Sequence, residues 1–356
     1  MSNTGYDYAP KGKAEPVCRP GDFKFAATAL DHGHINGQCN GLIEAGAELR
    51  WVFDPDPLKV EAFRKAFPQA TVAKSLGQIL EDPEIQLIAA AAVPSERGPL
   101  GVQVMRAGKH YFTDKTPFTE LGQLAEARRV AAETGKKYMV YYSERLHVEC
   151  AVFAGDLIEQ GAIGRVVQVL GLGPHRLSAE ARPSWFFEKA KYGGILCDIG
   201  SHQIEQFLFY SGASDATVTS ARVANYANKD YPELEDFGDA SLVADNGATS
   251  YFRVDWLTPD GLRTWGDGRT IILGTAGYIE MRKYIDITRD AVGDQLFLVN
   301  QHGEQHFALH GKVGFPFFGR LILDCLHGTE IAMSQNHAFK AAELCLMAQA
   351  AARRIE

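Results

Sequence analysis

FKFAATALDHGHINGQCNGLIEAGAELRWVFD, residues 23–54, reads as strand, turn, helix and strand in succession. Phe23 to Leu30 is a short apolar strand. After Gly33, the residues Ile35, Cys39, Leu42 and Ile43 fall on one helical face, and Gly46 closes that helix. Glu48 to Phe53 is the next strand. The alternation continues downstream. Asp56 and Pro57 suit an N-cap and a first helical residue, with Phe63 and Phe67 on the buried side. Ser75 and Gln78 have capping-box spacing. Leu87 to Val93 is nearly unbroken apolar sequence, as a strand covered on both faces requires. A helix ends at Ala107, His110 to Thr113 is a strand, Thr119 opens a helix to Thr134, and Tyr138 to Tyr142 is a further strand. This pattern predicts an α/β unit with a doubly wound parallel sheet over residues 23–146.

In a sheet of this Rossmann type, the first strand-to-helix turn cradles a dinucleotide pyrophosphate, and its usual fingerprint is G-x-G-x-x-G. Here the turn is Asp31-His32-Gly33-His34-Ile35-Asn36-Gly37. Only Gly33 keeps its place; Asp31 and Asn36 hold the outer positions, and Gly37 comes one residue late. Asp54 ends the second strand 23 residues after Asp31, where an acid binds the adenosine ribose hydroxyls. A carboxylate there favours NAD over NADP, whose extra phosphate it would repel; a turn residue before Pro55 is the structural alternative. The expected cofactor contacts are Asp31, Gly33, His34, Ile35 and Asp54, joined by Val93, Pro94, Asp114 and Lys115 after later strands. Asp31-His32-Gly33-His34 also invites a metal reading, but no second cluster partners it in sequence, so no metal is expected. His34 is read as capping the helix or lying against the cofactor.

The remaining length, out of 356 residues, suits a second domain. Residues 1–22, rich in Gly, Pro and Lys, read as an extended arm, and residues 147–356 as an α+β domain with a large, mostly antiparallel sheet. Its strand-like runs are 165–172, 216–227, 240–244, 250–257, 269–274, 278–287 and 295–300, with Asp245-Asn246-Gly247 as a hairpin turn. Helices are expected over 150–160 and from Phe339 to Ala352. A hydrophobic fraction of 46% and a charged fraction of 22% fit a globular chain, and a net charge of −8 argues against nucleic acid or an anionic membrane as partner. No apolar run approaches the ~20 residues of a membrane span. Six scattered cysteines without a Cys-x-x-Cys suit a reducing, cytoplasmic setting.

Chemistry concentrates in two places. Gly193-Gly194-Ile195-Leu196-Cys197-Asp198-Ile199-Gly200-Ser201-His202-Gln203-Ile204-Glu205 leads into a helix whose Ile204, Phe207 and Leu208 form a buried stripe. Asp198 and His202, four apart, would share one helix face, and a carboxylate beside an imidazole suits proton transfer. A helix-start Asp with a surface His has the same spacing. Cys197 adjoins them, and a small buried role suits it better than a thiolate. Lys115 follows the strand His110 to Thr113, and such a strand end faces the ligand crevice.

These two stretches resemble the glucose–fructose oxidoreductase/inositol dehydrogenase (Gfo/Idh/MocA) family. Its members carry Gly-Lys-His-Val-x-x-Glu-Lys-Pro, matched here by Gly108-Lys109-His110-Tyr111-Phe112-Thr113-Asp114-Lys115-Thr116-Pro117 with Asp for Glu and a threonine inserted. They also carry Gly-Gly-x-x-x-Asp-x-Gly-x-His-x-x-Asp, matched by 193–205 with Glu205 for the last Asp. Leu157 to Val166 is a third familiar piece. The resemblance implies that Lys115, Asp198 and His202 meet over the nicotinamide ring: His202 as general base on a substrate hydroxyl, Asp198 orienting it, Lys115 on the same oxygen. It implies an NAD-dependent oxidoreductase for a sugar, inositol or other polyol. Two rivals are redox-assisted glycosidic elimination with tightly held NAD, and a cofactor-binding sensor without turnover. It further implies a homodimer or homotetramer built on the second sheet, with Tyr251 and Trp256 as outward aromatics and the arm across a neighbouring subunit. His175, Arg176, Arg182 and Trp185, near the second motif, are the expected substrate contacts.

Overall fold

The computed structural model describes residues 8–287 and 292–355. Its first sheet has six strands: β1 (Lys24–Thr28), β2 (Glu48–Phe53), β3 (Thr71–Val72), β4 (Ile85–Ala90), β5 (His110–Asp114) and β6 (Tyr138–Tyr141). They run parallel in the order β3-β2-β1-β4-β5-β6. The order reverses between β1 and β4, so the carboxyl ends of those strands open a crevice. Local chemistry sets the helices that connect them. Asp56 accepts the Leu58 amide at 2.9 Å with Pro57 behind it, and Ser75 Oγ accepts the Gln78 amide at 3.1 Å. The strands β4 and β5 are almost wholly buried, which is why their sequences lack polar alternation.

The second sheet has nine strands: β7 (Val166–Pro174), β8 (Ala216–Ala224), β9 (Phe237–Ala244), β10 (Thr249–Asp255), β11 (Arg269–Gly274), β12 (Gly277–Arg282), β13 (Gln295–Asn300), β14 (Gly303–Ala308) and β15 (Arg353–Arg354). Their order is β14-β13-β12-β11-β7-β10-β9-β8-β15, antiparallel except where β7 meets β10 and β8 meets β15. The Asp245–Gly247 hairpin closes with the Ala244 amide on the Ala248 carbonyl at 2.8 Å. Helices Gly200–Ser211 and Gln335–Ala351 pack against this sheet. Val243, Ile271, Leu273 and Tyr278 are exposed apolar positions on its strands.

Strand β14 and helix Pro316–His327 had no counterpart in the sequence reading: the strand carries mostly exposed polar residues, and the helix sits beyond the regular strand spacing. Two expectations are corrected. Trp256 is not an outward residue; it is 6% exposed and its ring meets His175 and Phe186. The described part of the arm lies on its own chain. Lys11 and Gly12 donate to Glu149 Oε1, each at 3.0 Å, Tyr8 donates to Asp294 at 3.0 Å, and the Val17 amide reaches the Ala45 carbonyl at 2.9 Å. A Cβ on Gly12 would fall 1.8 Å from the Val313 carbonyl oxygen, so only glycine lets the arm lie backbone to backbone there. Residues 1–7 of the arm are outside the described residues. Among the described residues no helix is long and apolar enough to cross a membrane.

Candidate active site

Lys115 leaves the carboxyl end of β5, and Asp198 ends the short helix Ile195–Asp198. One residue, Ile199 (φ −89°, ψ −38°), separates it from helix Gly200–Ser211. The ladder tightens there, and the His202 amide bonds to the Ile199 carbonyl at 3.2 Å. The Asp198 carbonyl, released from the helix ladder, accepts Ser201 Oγ at 2.9 Å and Lys115 Nζ at 3.2 Å. Lys115 Nζ also lies 2.5 Å from Asp198 Oδ1, with both side chains buried. Burial acts to raise the Asp198 carboxyl, but the Lys115 ammonium overrides it and holds the group below the usual carboxylate range. Asp198 therefore pairs with Lys115 and makes no hydrogen bond to His202. Its second oxygen, Oδ2, is buried without a partner.

His202 is 2% exposed and its Nδ1 has no hydrogen-bond partner. Burial, and then the nearby Lys115 charge, lower the imidazole to about 3, so it is neutral at ordinary pH. His202 lines a small cleft together with His175, Glu144, Lys283, Thr270 and Gln206. Lys283 Nζ stands 2.6 Å from Glu144 Oε1 as a partly buried ion pair. Burial works to raise Glu144, and Lys283 outweighs it, leaving that carboxyl at about 2. The sequence reading missed Glu144 and Lys283. One lies in the short helix Ser143–Leu146 and the other just past β12. Lys283 is one of four charged residues in 278–287, so the sequence did not single it out.

The expected substrate contacts divide. His175 enters the His202 cavity, and burial lowers it to about 4. Arg182 and Trp185 border the adjoining cleft with Lys115, Asp198 and His32, and the Arg182 guanidinium lies 4.5 Å from the Phe186 ring and 5.0 Å from Trp256. Arg176 points elsewhere. It is 4% exposed and ties a loop together through Asp260 at 2.7 Å and the Pro259, Leu262 and Thr264 carbonyls.

At the first turn, Asp31 is held by Lys59 at 2.5 Å, and Ile35 is buried in the core. Val93 caps helix Pro94–Arg106, and Pro94 opens it beside Lys115. Asp54 accepts the Leu30 amide at 2.7 Å and the Asp56 amide at 2.9 Å, so its carboxylate is fixed at the end of β2. Asp114 is buried under His34, His32 and Arg97, which hold it well below the usual range against the raising effect of burial. A Cβ built on Gly33 would meet nothing within 4 Å, so the space over this helix start is open. That opening, and the unpartnered Asp198 Oδ2 and His202 Nδ1 in the crevice, fit a dinucleotide with its nicotinamide end toward Lys115. His32, His34 and Asp114 bring potential ligand atoms within 4.8 Å of one another, a convergence that the short sequence run alone did not reveal. Cys197 is buried and its thiol is pushed up, the opposite of an activated nucleophile.

Comparison with known proteins agrees with this architecture. A family profile described as "Oxidoreductase family, NAD-binding Rossmann fold" matches residues 29–142, and one described as "GFO/IDH/MocA C-terminal domain" matches residues 153–280. A solved structure from Erwinia carotovora atroseptica, named as a candidate oxidoreductase, is 51% identical with a TM-score of 0.91, covering 94% of this chain and all of that one. D-xylose dehydrogenase of Paenarthrobacter nicotinovorans is 26% identical over 149 residues, 40% of this chain and 38% of that protein. The NADP-dependent scyllo-inositol 2-dehydrogenase of Bacillus subtilis is 26% identical over 194 residues, 53% of each chain. The match thus spans about half or less of these two curated relatives.

Proposed function

Because the chain belongs to the Gfo/Idh/MocA oxidoreductase family, we propose that it is an NAD-dependent dehydrogenase for a hydroxyl-bearing carbon of a sugar, inositol or similar polyol. The observation that carries this is the Lys115–Asp198 pair at 2.5 Å beside a neutral His202 that lines a cleft with His175, Glu144 and Lys283. Nicotinamide, when bound, takes up or supplies the hydride. His202 accepts the hydroxyl proton, which its neutral lone pair allows. Lys115 donates a hydrogen bond to the same oxygen, and Asp198 fixes the position of the ammonium. In the reverse direction the same groups return the proton to the alkoxide.

Polyol recognition suits a cavity that offers an ion pair, two neutral imidazoles and an amide, with Gln206 beside Glu144 and Lys283. The fixed Asp54 carboxylate supports NAD over NADP. The exposed apolar positions of the second sheet, Ile271, Leu273 and Tyr278, support a homo-oligomer. The net charge of −8 supports a small-molecule partner over nucleic acid, and six free cysteines support a cytoplasmic setting. The test is NAD⁺ reduction at 340 nm across a panel of aldoses, inositols and sugar acids, with NADH titration by fluorescence in parallel. NADH-dependent or NAD⁺-dependent turnover of one polyol supports the reading. NADH binding without turnover of any panel member favours a sensor, and a cofactor that copurifies and does not exchange favours redox-assisted elimination.

A further inference from the structure

The arm carries an aromatic ring to the back of the candidate substrate cleft. The Tyr8 hydroxyl donates to Asp294 Oδ1 at 3.0 Å and accepts the Glu149 amide at 3.0 Å, so the phenol is held from both sides. Four residues on, the arm is anchored again. Glu149 Oε1 takes the Lys11 and Gly12 amides, while its Oε2 takes the Lys312 and Val313 amides at 2.9 and 3.2 Å. The Ala14 amide then reaches Glu44 Oε2 of the first domain at 3.2 Å. The fixed ring faces a cation. Lys283 Nζ lies 5.1 Å from the Tyr8 ring centroid and 4.6 Å from that of Tyr284, and the two rings meet edge to face with centroids 6.4 Å apart. Lys283 and Tyr284 line the cleft with Glu144, His175 and His202; Tyr8 is not among the lining residues.

We infer that Tyr8 is a positioning residue for substrate binding: its ring holds the Lys283 ammonium beside Glu144 at the cleft, so the arm sets substrate affinity without touching the substrate. This role rests on the dehydrogenase reading above. A lysine ammonium within about 6 Å of a ring centroid is drawn to the ring, more strongly where water is excluded. The Lys283 side chain is only 15% exposed. Its flexible four-carbon stem would leave a single carboxylate contact many geometries. Glu144 on one side and two rings on the other restrict the ammonium to one of them. The Tyr8 ring in turn cannot drift, because its hydroxyl is tied to Asp294 and to the backbone of Glu149. A simple clasp is the other role open to the arm. The contacts of Lys11, Gly12 and Ala14 already supply that, and none of them requires an aromatic ring against a lysine of the cleft.

The experiment compares wild type with Tyr8→Leu, Tyr8→Phe, Lys283→Met and Tyr8→Leu/Lys283→Met. Kinetics use D-xylose, D-glucose and myo-inositol at saturating NAD⁺, taking whichever turns over fastest. Acetylation of Lys283 by acetic anhydride is followed in parallel by peptide mass spectrometry. Tyr8→Leu should raise KM by about 3- to 30-fold with kcat within about twofold, the pattern of lost substrate binding, and should speed Lys283 acetylation by a similar factor. Tyr8→Phe keeps the ring and should retain most of the wild-type affinity. In the Lys283→Met background the Leu change should leave KM unaltered, because the group it acts through is gone. KM effects that simply multiply in the double variant overturn the inference, as does an equal KM effect of Phe and Leu. A lower melting temperature in Tyr8→Leu with KM and acetylation unchanged also overturns it and leaves the arm as a clasp; the dehydrogenase reading survives all three. Absence of turnover by wild type with every substrate counts against the dehydrogenase reading instead, and faster Lys283 acetylation in Tyr8→Leu would still support the positioning of Lys283.

Discussion

Lys115 Nζ and Asp198 Oδ1 are 2.5 Å apart, and this contact joins the end of a parallel strand of the first sheet to the helix that enters the second domain. Standing 83 apart in sequence, they bring two opposite charges into a buried cleft where, among the described residues, neither has another charged side-chain partner within salt-bridge distance. Removing one member strands the other. Lys115→Met should therefore destabilise the protein by about 3–5 kcal/mol, the usual result of orphaning a buried charge. The double variant Lys115→Met/Asp198→Asn should recover much of that. Urea denaturation of the single and double variants is the measurement, and strictly additive losses would refute the pairing argument.

Turnover responds to the same groups separately from cofactor binding. Lys115→Met and His202→Asn should each lower kcat by about 10²–10⁴, with NADH affinity little changed. Comparable loss of NADH affinity in both variants would place these residues in cofactor binding.

The neutral state of His202 has a pH signature. Its imidazole, at about 3, stays unprotonated through the working range, whereas an ordinary histidine would lose its lone pair near 6.5. The pH profile of kcat/KM for polyol oxidation should show no histidine limb between pH 5 and 8. An acid limb centred near 6.5 that vanishes in His202→Asn would contradict this.

Asp54 predicts tighter NADH than NADPH binding, read by fluorescence titration. Asp54→Ala should narrow the gap, and because the carboxylate also accepts the Leu30 and Asp56 amides, it should cost about 1–3 kcal/mol of stability. Tighter NADPH binding by the wild type would remove Asp54 from the ribose.

Glu205, the residue that departs from the family's second motif, is not in the cleft. It is buried and accepts Arg145 Nε at 2.7 Å and His337 Nε2 at 3.0 Å, which ties the short helix Ser143–Leu146 and the last helix to helix Gly200–Ser211. Burial would raise its carboxyl, but these partners hold it at about 2, below the ordinary 4.5. A depressed carboxyl contributes stability that is present above its unfolded value and fades as pH falls toward the folded one. The stability difference between wild type and Glu205→Gln should be constant above pH 5 and shrink from pH 4.5 to 2. A difference that grows on acidification would reverse the assignment.

What the sequence by itself determined is periodic or local. Alternating strand and helix patterns, the Asp56 and Ser75 caps and the Asp245–Gly247 hairpin are set by residues a few positions apart, so the strands of the first sheet other than the two-residue β3, and most of β7 to β13, were legible. The two motifs also marked Lys115, Asp198 and His202. Tertiary structure decided what those side chains touch. An i, i+4 spacing cannot show that Asp198 pairs with Lys115 while His202 lines the neighbouring cleft. Glu144 and Lys283, 139 residues apart, meet only because β12 folds beside the short helix after β6. His32 and His34 are a spare pair in sequence; Asp114, 80 residues past His34, is what orients them. Periodicity reports which face of an element is buried, but a charge's partner depends on which elements the fold places side by side.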